Sequence, residues 1–216
     1  KAESNQSRMP SLKKIGEDKF RFGEVMIDQK NRILEFNATS NQRNGLIEYA
    51  LVHESGKTHE ALFRTKVRPQ ILHACFLLFR HPREDRFFEN LWSEKPNKLD
   101  FSKSRIRTEV QWDQNGTLHT CSLEELSLNT KDKSSLREYA FIFTGSKKIE
   151  GTYLAELSGS MIAVYADEEA VINSSDHDSA NDDVWYGNKA KMPPLECPVT
   201  IRFHLPRDER SPKLEE

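Results

Sequence analysis

Turn signals recur roughly every 8–12 residues along this chain, and short, mainly apolar segments lie between them. The clearest pair is Arg107–Trp112 and Thr117–Cys121, which are joined through Asn115-Gly116. Asn-Gly between two such segments is the strongest short-range signal of a β-hairpin. About ten short strands at this spacing predict a mainly β domain, an antiparallel β-sandwich or a distorted barrel, rather than alternating βαβ units.

The segment Pro69–Phe79 departs from this pattern and predicts one packed α-helix. Its apolar residues recur at the spacing of one helical face. Pro69 fits the first turn of a helix, where its missing N–H is not needed. The charged connection that follows contains one shorter stretch of this kind, Phe87–Trp92, which predicts a short amphipathic helix.

Two further hairpins are predicted from turns that contain glycine. Leu46–His53 and Thr58–Arg64 flank a turn in which Gly56 can adopt a positive φ. Thr152–Leu157 and Met161–Tyr165 flank a second turn at Ser158-Gly159. Both pairs are expected to run antiparallel.

Charge and composition limit the class of protein and its partners. The 32 Lys and Arg residues nearly balance the 34 Asp and Glu residues, so the net charge is -2. A basic field for nucleic acid is absent, and we expect no nucleic-acid partner. No run approaches about 18 consecutive apolar residues, so no transmembrane segment is expected in this chain. We expect a flexible polar N-terminal segment (1–14), a single β-rich domain (15–206) and a flexible C-terminal tail (207–216).

Two groups of side chains have roles that the sequence leaves open. Cys75 lies in an apolar run and is expected to be buried, whereas Cys121 and Cys197 could pair or stay free. The acidic stretch Asp176–Asp183 begins like a calcium loop but has Ala180 where an oxygen ligand is needed. It is either a solvated acidic loop or a weak calcium site.

The segment Thr58–Leu62 has the strongest catalytic potential, because His59-Glu60 begins like the zinc-protease motif H-E-x-x-H. Phe63 stands where that motif needs its second histidine, and an extended chain would point His59 and Glu60 to opposite faces. Nearby backbone or basic groups could satisfy both side chains. The alternative is a metal-binding protein or metal-dependent enzyme centred on His59, Glu60 and His73. The nucleophile-elbow and phosphate-loop motifs are missing, so the sequence leans against an enzyme without deciding the question.

Several segments together resemble a known family. They are Gly23–Asp28, Arg32–Phe36, Asn41–Tyr49 and Gly56–Leu62, followed by Trp112, Phe143–Ser146, Tyr153–Ala155, Ser158-Gly159 and Trp185. Over about residues 15–206 the chain resembles the YdjY-like proteins, an uncharacterised bacterial family with many exported members. One departure is Phe79-Arg80-His81, where the helix is expected to end in glycine.

The resemblance implies a bacterial protein that is periplasmic or secreted, with a lipid anchor in a segment before Lys1 as one option. It leaves the reaction and the cofactor unknown. The matching residues for a binding site are Asn41, Glu48, Tyr49, Lys57, His59 and Glu60, and a metal site would use His59 and His73. The alternative is that these residues only build the sheet. We therefore predict a non-catalytic, envelope-associated binding or structural module whose partner is an unidentified ligand or envelope component.

Overall fold

The computed structural model of the chain describes residues 9–207 and is mainly β, as predicted, with a sandwich-like arrangement of strands. The strands are β1 (Leu12–Gly16), β2 (Lys19–Phe22), β3 (Val25–Asp28), β4 (Ile33–Ser40), β5 (Tyr49–His53), β6 (Ala61–Thr65), β7 (Arg107–Gln114), β8 (Thr117–Cys121), β9 (Ser127–Asn129), β10 (Phe141–Phe143), β11 (Lys148–Ile149), β12 (Thr152–Tyr153), β13 (Ser160–Ala163), β14 (Ile172–Ser174), β15 (Trp185–Gly187) and β16 (Pro198–His204). The helices are α1 (Pro69–Leu78), α2 (Phe87–Leu91) and α3 (Leu154–Ser158), with 3-10 turns at Thr58–Glu60 and Glu124–Leu126. None of the helices within 9–207 is long and apolar enough to cross a membrane.

The two predicted flexible ends fall largely outside the described residues. Residues 1–8 of the N-terminal segment and residues 208–216 of the C-terminal tail lie outside them. Within the N-terminal segment, β1 begins at Leu12 and pairs antiparallel with β2. The ordered part of the chain therefore starts earlier than the boundary expected at residue 15.

One sheet of 12 strands carries most of the fold, and β4 lies at its centre. One edge of β4 pairs with β3 near its start and with β6 at its end, while β16 pairs along the other edge. From β6 the sheet continues through β5, β13 and β14 to β10, and from β16 it continues through β7 to β8.

The two arms of this sheet approach each other at β10. Ile106 N–H donates to Phe141 O, and Phe143 N–H donates to Ser104 O, each at 2.9 Å. Residues 104–106 lead directly into β7, so the end of one arm lies beside the start of the other. No continuous ladder joins them, and the strands within 9–207 form a sandwich rather than a closed barrel.

The predicted hairpin at Asn115-Gly116 is confirmed as β7 and β8, with Gln114 opposite Thr117. Asn115 has a φ of 56° and Gly116 a φ of 79°. Two successive positive φ values are the geometry of a type I′ turn, which matches the twist of the flanking strands. The local sequence was therefore sufficient to define this element.

The predicted helix at Pro69–Phe79 is confirmed as α1, with Phe79 as its C-terminal cap. Arg80 occupies the position where glycine was expected and adopts a φ of 50°. The N–H of His81 donates to Phe76 O at 2.9 Å, and the N–H of Arg80 donates to Leu77 O at 2.9 Å. These bonds form a Schellman motif, so the helix ends as a glycine-capped helix does, although the capping residue has a side chain.

The predicted antiparallel pairing of Leu46–His53 with Thr58–Arg64 was wrong. The two strands are adjacent but parallel, with Tyr49 opposite Ala61 and His53 opposite Thr65. The chain does not reverse at Gly56 into a hairpin, because residues 54–60 run back beside β5 and end in the 3-10 turn. The new strand starts only at Ala61.

The predicted strand Thr152–Leu157 was also wrong for most of its length. Only Thr152–Tyr153 is extended, as β12, and Leu154–Ser158 forms α3. The short helix predicted at Phe87–Trp92 is confirmed as α2.

In the core, α1 packs against strands from both arms of the sheet. Phe76 of α1 stacks on Phe143 of β10 with ring centroids 4.5 Å apart, and on Phe203 of β16 at 6.3 Å. All three rings are buried. This stacking holds the middle of α1 against β10 and leaves the neighbouring His73 half-buried at the edge of the core.

The three cysteines are free, so the Cys121–Cys197 bridge is not formed. Cys75 is buried, as expected. Cys121 lies opposite Val110 on β7, whereas Cys197 precedes β16, whose Thr200 lies opposite Gln111. The register therefore separates the two thiols by two strands and by several residues along them, beyond the reach of a disulfide.

Candidate functional site

The residues identified through the family resemblance gather around the 3-10 turn at Thr58–Glu60. Thr58 N–H donates to Gly56 O at 2.9 Å, which closes the approach to the turn. Glu48 N–H donates to Glu60 O at 3.0 Å, which fixes the turn beside the start of β5. We define the turn cluster as Asn41, Glu48, Tyr49, Lys57, His59 and Glu60 together with Asp167.

Asn41 attaches this turn to the end of β4. Its side-chain amide donates to the main-chain oxygens of Thr58 and Ala61, the latter at 2.9 Å. Its Oδ1 accepts a hydrogen bond from Arg64 Nη1 at 3.1 Å, and Arg64 also pairs with Glu196. The donors and the acceptor of the amide are thus engaged within the protein. Asn41 positions the turn rather than presenting a group to a ligand.

Tyr49 is the centre of a polar chain in the turn cluster. Its hydroxyl donates to Asp167 Oδ2 at 2.7 Å and accepts a hydrogen bond from Lys57 Nζ at 2.7 Å. Burial, followed by the Asp167 carboxylate, raises the pKa of the Tyr49 hydroxyl, so it stays protonated and remains a donor. Lys57 and Tyr49 therefore connect the turn to the loop that carries Asp167.

Glu48, His59 and Glu60 form the outer side of the turn cluster. His59 Nε2 lies 3.6 Å from Glu60 Oε2, with the His59 side chain 79 % exposed and the Glu60 side chain 23 %. Burial and the Glu60 carboxylate raise the pKa of Glu48, and Lys57 partly offsets them. The prediction that His59 and Glu60 point to opposite faces of a strand was wrong, because both belong to a 3-10 turn.

Neither of the two predicted metal ligands, His59 and His73, is among the contacts described for the other. Within residues 9–207, no three His, Cys, Asp or Glu side chains are arranged to hold a metal ion. His73 makes its contacts away from His59, with Tyr153 and Phe143. A metal site on His59 and His73 stays a prediction that has no geometric support.

The acidic loop Asp176–Asp183 uses its first carboxylates within the protein. Asp176 Oδ1 accepts from His177 Nδ1 at 2.7 Å, and Asp178 Oδ2 accepts from Asn129 Nδ2 at 2.9 Å. The hydrogen bond to Asp176 raises the pKa of His177. The Asp-x-Asp opening of the supposed calcium loop thus holds a histidine and an amide, and calcium binding here stays a prediction.

Gly56 and Gly159 allow the chain before the turn cluster to approach the end of α3. A Cβ on Gly159 would stand 2.8 Å from Gly56 Cα, and one on Gly56 would stand 2.8 Å from Ser158 O. Gly159 also has a φ of +75°, which an L side chain rarely adopts. Both glycines belong to segments that carry the family resemblance, and both serve close main-chain packing.

A second candidate site is a groove beside α1, and we call it the His73 groove. It has a volume of about 780 Å³ and is lined by residues of α1, the connection before α2, α2 itself, the segment 144–148 and Tyr153. Of the predicted site residues, it contains only His73. Its size is typical of a small-molecule site.

The floor of the His73 groove is a pair of neutral polar rings. His73 Nδ1 and the Tyr153 hydroxyl are 2.7 Å apart, and the His73 ring packs edge-on against Phe143. Burial lowers the pKa of His73 to about 4, helped by the nearby charges of Arg83 and Lys148. Burial also raises the pKa of the Tyr153 hydroxyl. Both groups are therefore uncharged near neutral pH.

Gly145 lets a cationic side chain reach this floor. A Cβ on Gly145 would stand 2.7 Å from Arg83 Cδ and 3.2 Å from His73 Cε1. The residue has a φ of +65° and follows Phe143-Thr144 at the end of β10. The chain thus turns away without a side chain at the point where Arg83 lies beside His73.

Aromatic side chains of α2 complete one wall of the groove. Phe88 and Trp92 line it, and Trp92 is 54 % exposed. Such an exposed indole in a concave site can stack on a ligand ring. Sequence reasoning placed these residues on a helix but not at a site, because only the fold brings α2 beside α1.

A third cleft, of about 350 Å³, contains a buried carboxyl that the sequence did not reveal. Glu124 is 2 % exposed and accepts a hydrogen bond from the Thr108 hydroxyl. Burial raises the pKa of Glu124 to about 7. No sequence pattern marked which of the acidic residues in this segment would be buried.

Comparison with known proteins agrees with the resemblance seen in the sequence. A profile of the YdjY domain matches residues 25–204, which include the turn cluster and the His73 groove. No curated protein and no solved structure matches the chain. The chain belongs to the YdjY domain family.

Proposed function

We propose that this YdjY-domain chain is a non-catalytic binding module of the bacterial cell envelope, periplasmic or secreted, and that the His73 groove is its binding surface. The groove carries the proposal, because it combines a volume of about 780 Å³ with polar groups on the floor and aromatic groups on the wall. Concave sites of this size, with a few convergent polar groups, are the usual places where proteins bind small ligands.

The exposure of Trp92 supports a binding role for the groove. A large aromatic side chain usually buries most of its surface, whereas Trp92 is 54 % exposed at the groove wall. A ligand ring stacked on the indole would remove this apolar surface from water. Trp92 is therefore the side chain expected to contribute most to affinity.

The protonation states on the floor support binding rather than acid–base catalysis. An efficient general acid or base has a pKa near the working pH. The pKa of His73 is lowered to about 4, and the pKa of Tyr153 is raised. Neither group changes its protonation state near neutral pH, so the pair suits fixed hydrogen bonding.

The turn cluster is the other candidate surface, and its contacts favour a structural role. Asn41, Tyr49 and Lys57 direct their polar atoms to partners within the chain. His59 is the most exposed of the predicted binding residues in this cluster, but it stands beside a single carboxylate. The groove therefore remains the better-supported binding site.

The proposal is tested by co-sedimentation of the purified protein with cell envelopes isolated from a Gram-negative bacterium. Wild type should sediment with the envelopes, and Trp92→Ala should lose about tenfold in affinity. Leu118→Ala is the matched control, because Leu118 is also exposed, at 64 %, but lies on β8 outside the groove. Equal sedimentation of both variants, no sedimentation of wild type, or release of sugars or peptides by the protein would overturn the proposal.

A further inference from the structure

Some charged side chains of the His73 groove have an ion-pair partner, and others do not. Three of its carboxylates are engaged with cations: Asp85 with Arg83, Glu168 with Lys147 and Glu84 with Arg86. Lys148 also lines the groove and has no ion-pair partner within residues 9–207. Its ammonium group is therefore available to an anionic ligand.

The groove wall also contains acidic groups that oppose this attraction. Glu84 Oε1 lies 3.5 Å from Arg86 Nε, and the Glu84 side chain is largely buried, with 11 % of its surface exposed. Glu89 lines the groove on α2 without an ion-pair partner within the described chain. An anion is consequently favoured near the floor and disfavoured near Glu89.

The floor itself experiences the cations more strongly than the carboxylates. The charges of Arg83 and Lys148 both lower the pKa of His73, and no carboxylate acts on it in the opposite direction. With Nδ1 bonded to the Tyr153 hydroxyl, Nε2 is the remaining polar atom of the ring. When the hydroxyl donates to Nδ1, the Nε2–H of neutral His73 is a donor for an anionic oxygen.

The aromatic wall adds a second requirement, a ring with an apolar face. Trp92 and Phe88 contribute flat apolar surfaces to a groove whose other lining is mostly polar. A sugar ring has one face of C–H groups and a rim of hydroxyls, so it can stack on an indole and hydrogen-bond to polar side chains at the same time. A flat ligand without hydroxyls would leave these polar groups unsatisfied.

Resting on the proposed binding function, we infer that the ligand of the His73 groove is an acidic saccharide. Its sugar ring lies against Trp92, and its carboxylate lies over the floor between Arg83, Lys148 and His73. Arg83 keeps its contact to Asp85 through Nε and offers its remaining N–H groups to the ligand. The carboxylate thereby receives charge-assisted hydrogen bonds that a neutral sugar cannot accept with the same strength.

Isothermal titration calorimetry with trigalacturonate tests the inference, with its methyl ester as the neutral probe of the same ring structure. We expect trigalacturonate to bind about tenfold more tightly than the ester, and the difference to shrink at high salt. Acetate, which has the carboxylate without the ring, should bind more weakly than trigalacturonate by a larger factor.

Charge-changing variants provide the second arm of this experiment. Lys148→Gln should weaken trigalacturonate binding about fivefold and leave binding of the ester unchanged. Glu89→Gln should strengthen trigalacturonate binding, because it removes the unpaired negative charge on the wall. Lys189→Gln is the matched control, since Lys189 is an exposed lysine that lines a different cavity. These substitutions at the surface leave the core intact, so the variants are expected to fold.

The outcomes separate this inference from the proposed function. Equal binding of acid and ester, or weaker binding after Glu89→Gln, overturns the acidic-saccharide inference and leaves the binding module in place. The same holds if no saccharide binds while Trp92-dependent sedimentation with envelopes persists. Loss of that sedimentation together with all saccharide binding overturns both.

Discussion

The turn cluster and the His73 groove use polar residues in opposite ways. In the turn cluster, the side chains of Tyr49 and Asn41 form hydrogen bonds with partners within the chain. In the groove, Lys148 lacks an ion partner among residues 9–207, and Trp92 leaves half of its surface exposed. The polar groups of Tyr49 and Asn41 are satisfied within the protein, whereas Lys148 and Trp92 give the groove unused capacity for a ligand.

This difference separates what a family motif marks from where a ligand can bind. The segment around Gly56 carries part of the resemblance, and its residues shape the compact return from β5 to β6. This return must run antiparallel to both strands in seven residues, 54–60, so it depends on glycine and on hydrogen bonds from the Asn41 side chain to its main chain. Residue identity is thus constrained strongly there for reasons of folding.

The largest expected effect tests whether close packing of Gly56 against Gly159 constrains the chain that leads into the turn cluster. Gly159→Ala should destabilise the protein by about 3 kcal/mol, for two reasons. The new side chain would stand on a backbone with a left-handed φ, and its Cβ would lie 2.8 Å from Gly56 Cα. Gly151→Ala is the control, since Gly151 has a φ of +82° but no atom within 4 Å of its Cβ position. The measurement is the free energy of unfolding in urea.

The control variant isolates the cost of close packing. Gly151→Ala should lose only about 1 kcal/mol through backbone strain. If both variants lose the same free energy, the contact between Gly56 and Gly159 is not what constrains this region. The account of the motif as a packing requirement would then be wrong.

The parts of the fold that depend on local interactions could be predicted from the sequence. The β7–β8 hairpin follows from Asn115-Gly116, and α1 follows from the apolar spacing within Pro69–Phe79. The pairing of β5 with β6 could not be predicted, because Gly56 finds its steric partner in Gly159, far along the chain. A glycine in a short turn indicates a permitted φ but does not identify the segment that packs against it.

The same distinction between local and long-range interactions applies to the two candidate sites. Asn41, Tyr49 and Lys57 were predicted to act together, and they do meet, because they lie close in sequence and flank one turn. The groove joins α1, α2 and β12, which are distant in sequence, so only His73 was predicted as a site residue. Burial decided the properties of both regions, and burial is a property of the fold.

A comparison of Tyr49, which is buried, with Tyr153, which is half-buried, sharpens the contrast. Tyr49→Phe should destabilise by about 2 kcal/mol, because its hydroxyl bonds to the charged groups of Asp167 and Lys57. Tyr153→Phe should lose about 1 kcal/mol, since its hydroxyl bonds to neutral His73, but it should also weaken ligand binding in the groove. Urea unfolding and calorimetry with trigalacturonate measure the two effects. A larger stability loss for Tyr153→Phe, or weaker binding for Tyr49→Phe, would reverse the roles given to the two regions.

The smallest expected effect is a pH dependence that originates in the groove. The pKa of His73 is lowered from 6.5 to about 4, so the unfolded chain binds a proton in this range before the folded protein does. The stabilisation associated with neutral His73 is therefore complete above pH 6.5 and is lost as the pH falls through 4. Because His73 is only half-buried, we expect about 1 kcal/mol. The free energy of unfolding in urea should fall between pH 7 and pH 4.5, and this fall should be smaller by about 1 kcal/mol in His73→Gln than in wild type. The pKa of His81 is also lowered to about 4, but His81 is present in both proteins and contributes equally to both. Identical pH profiles for wild type and His73→Gln would mean that the groove floor is open to water and does not hold His73 neutral.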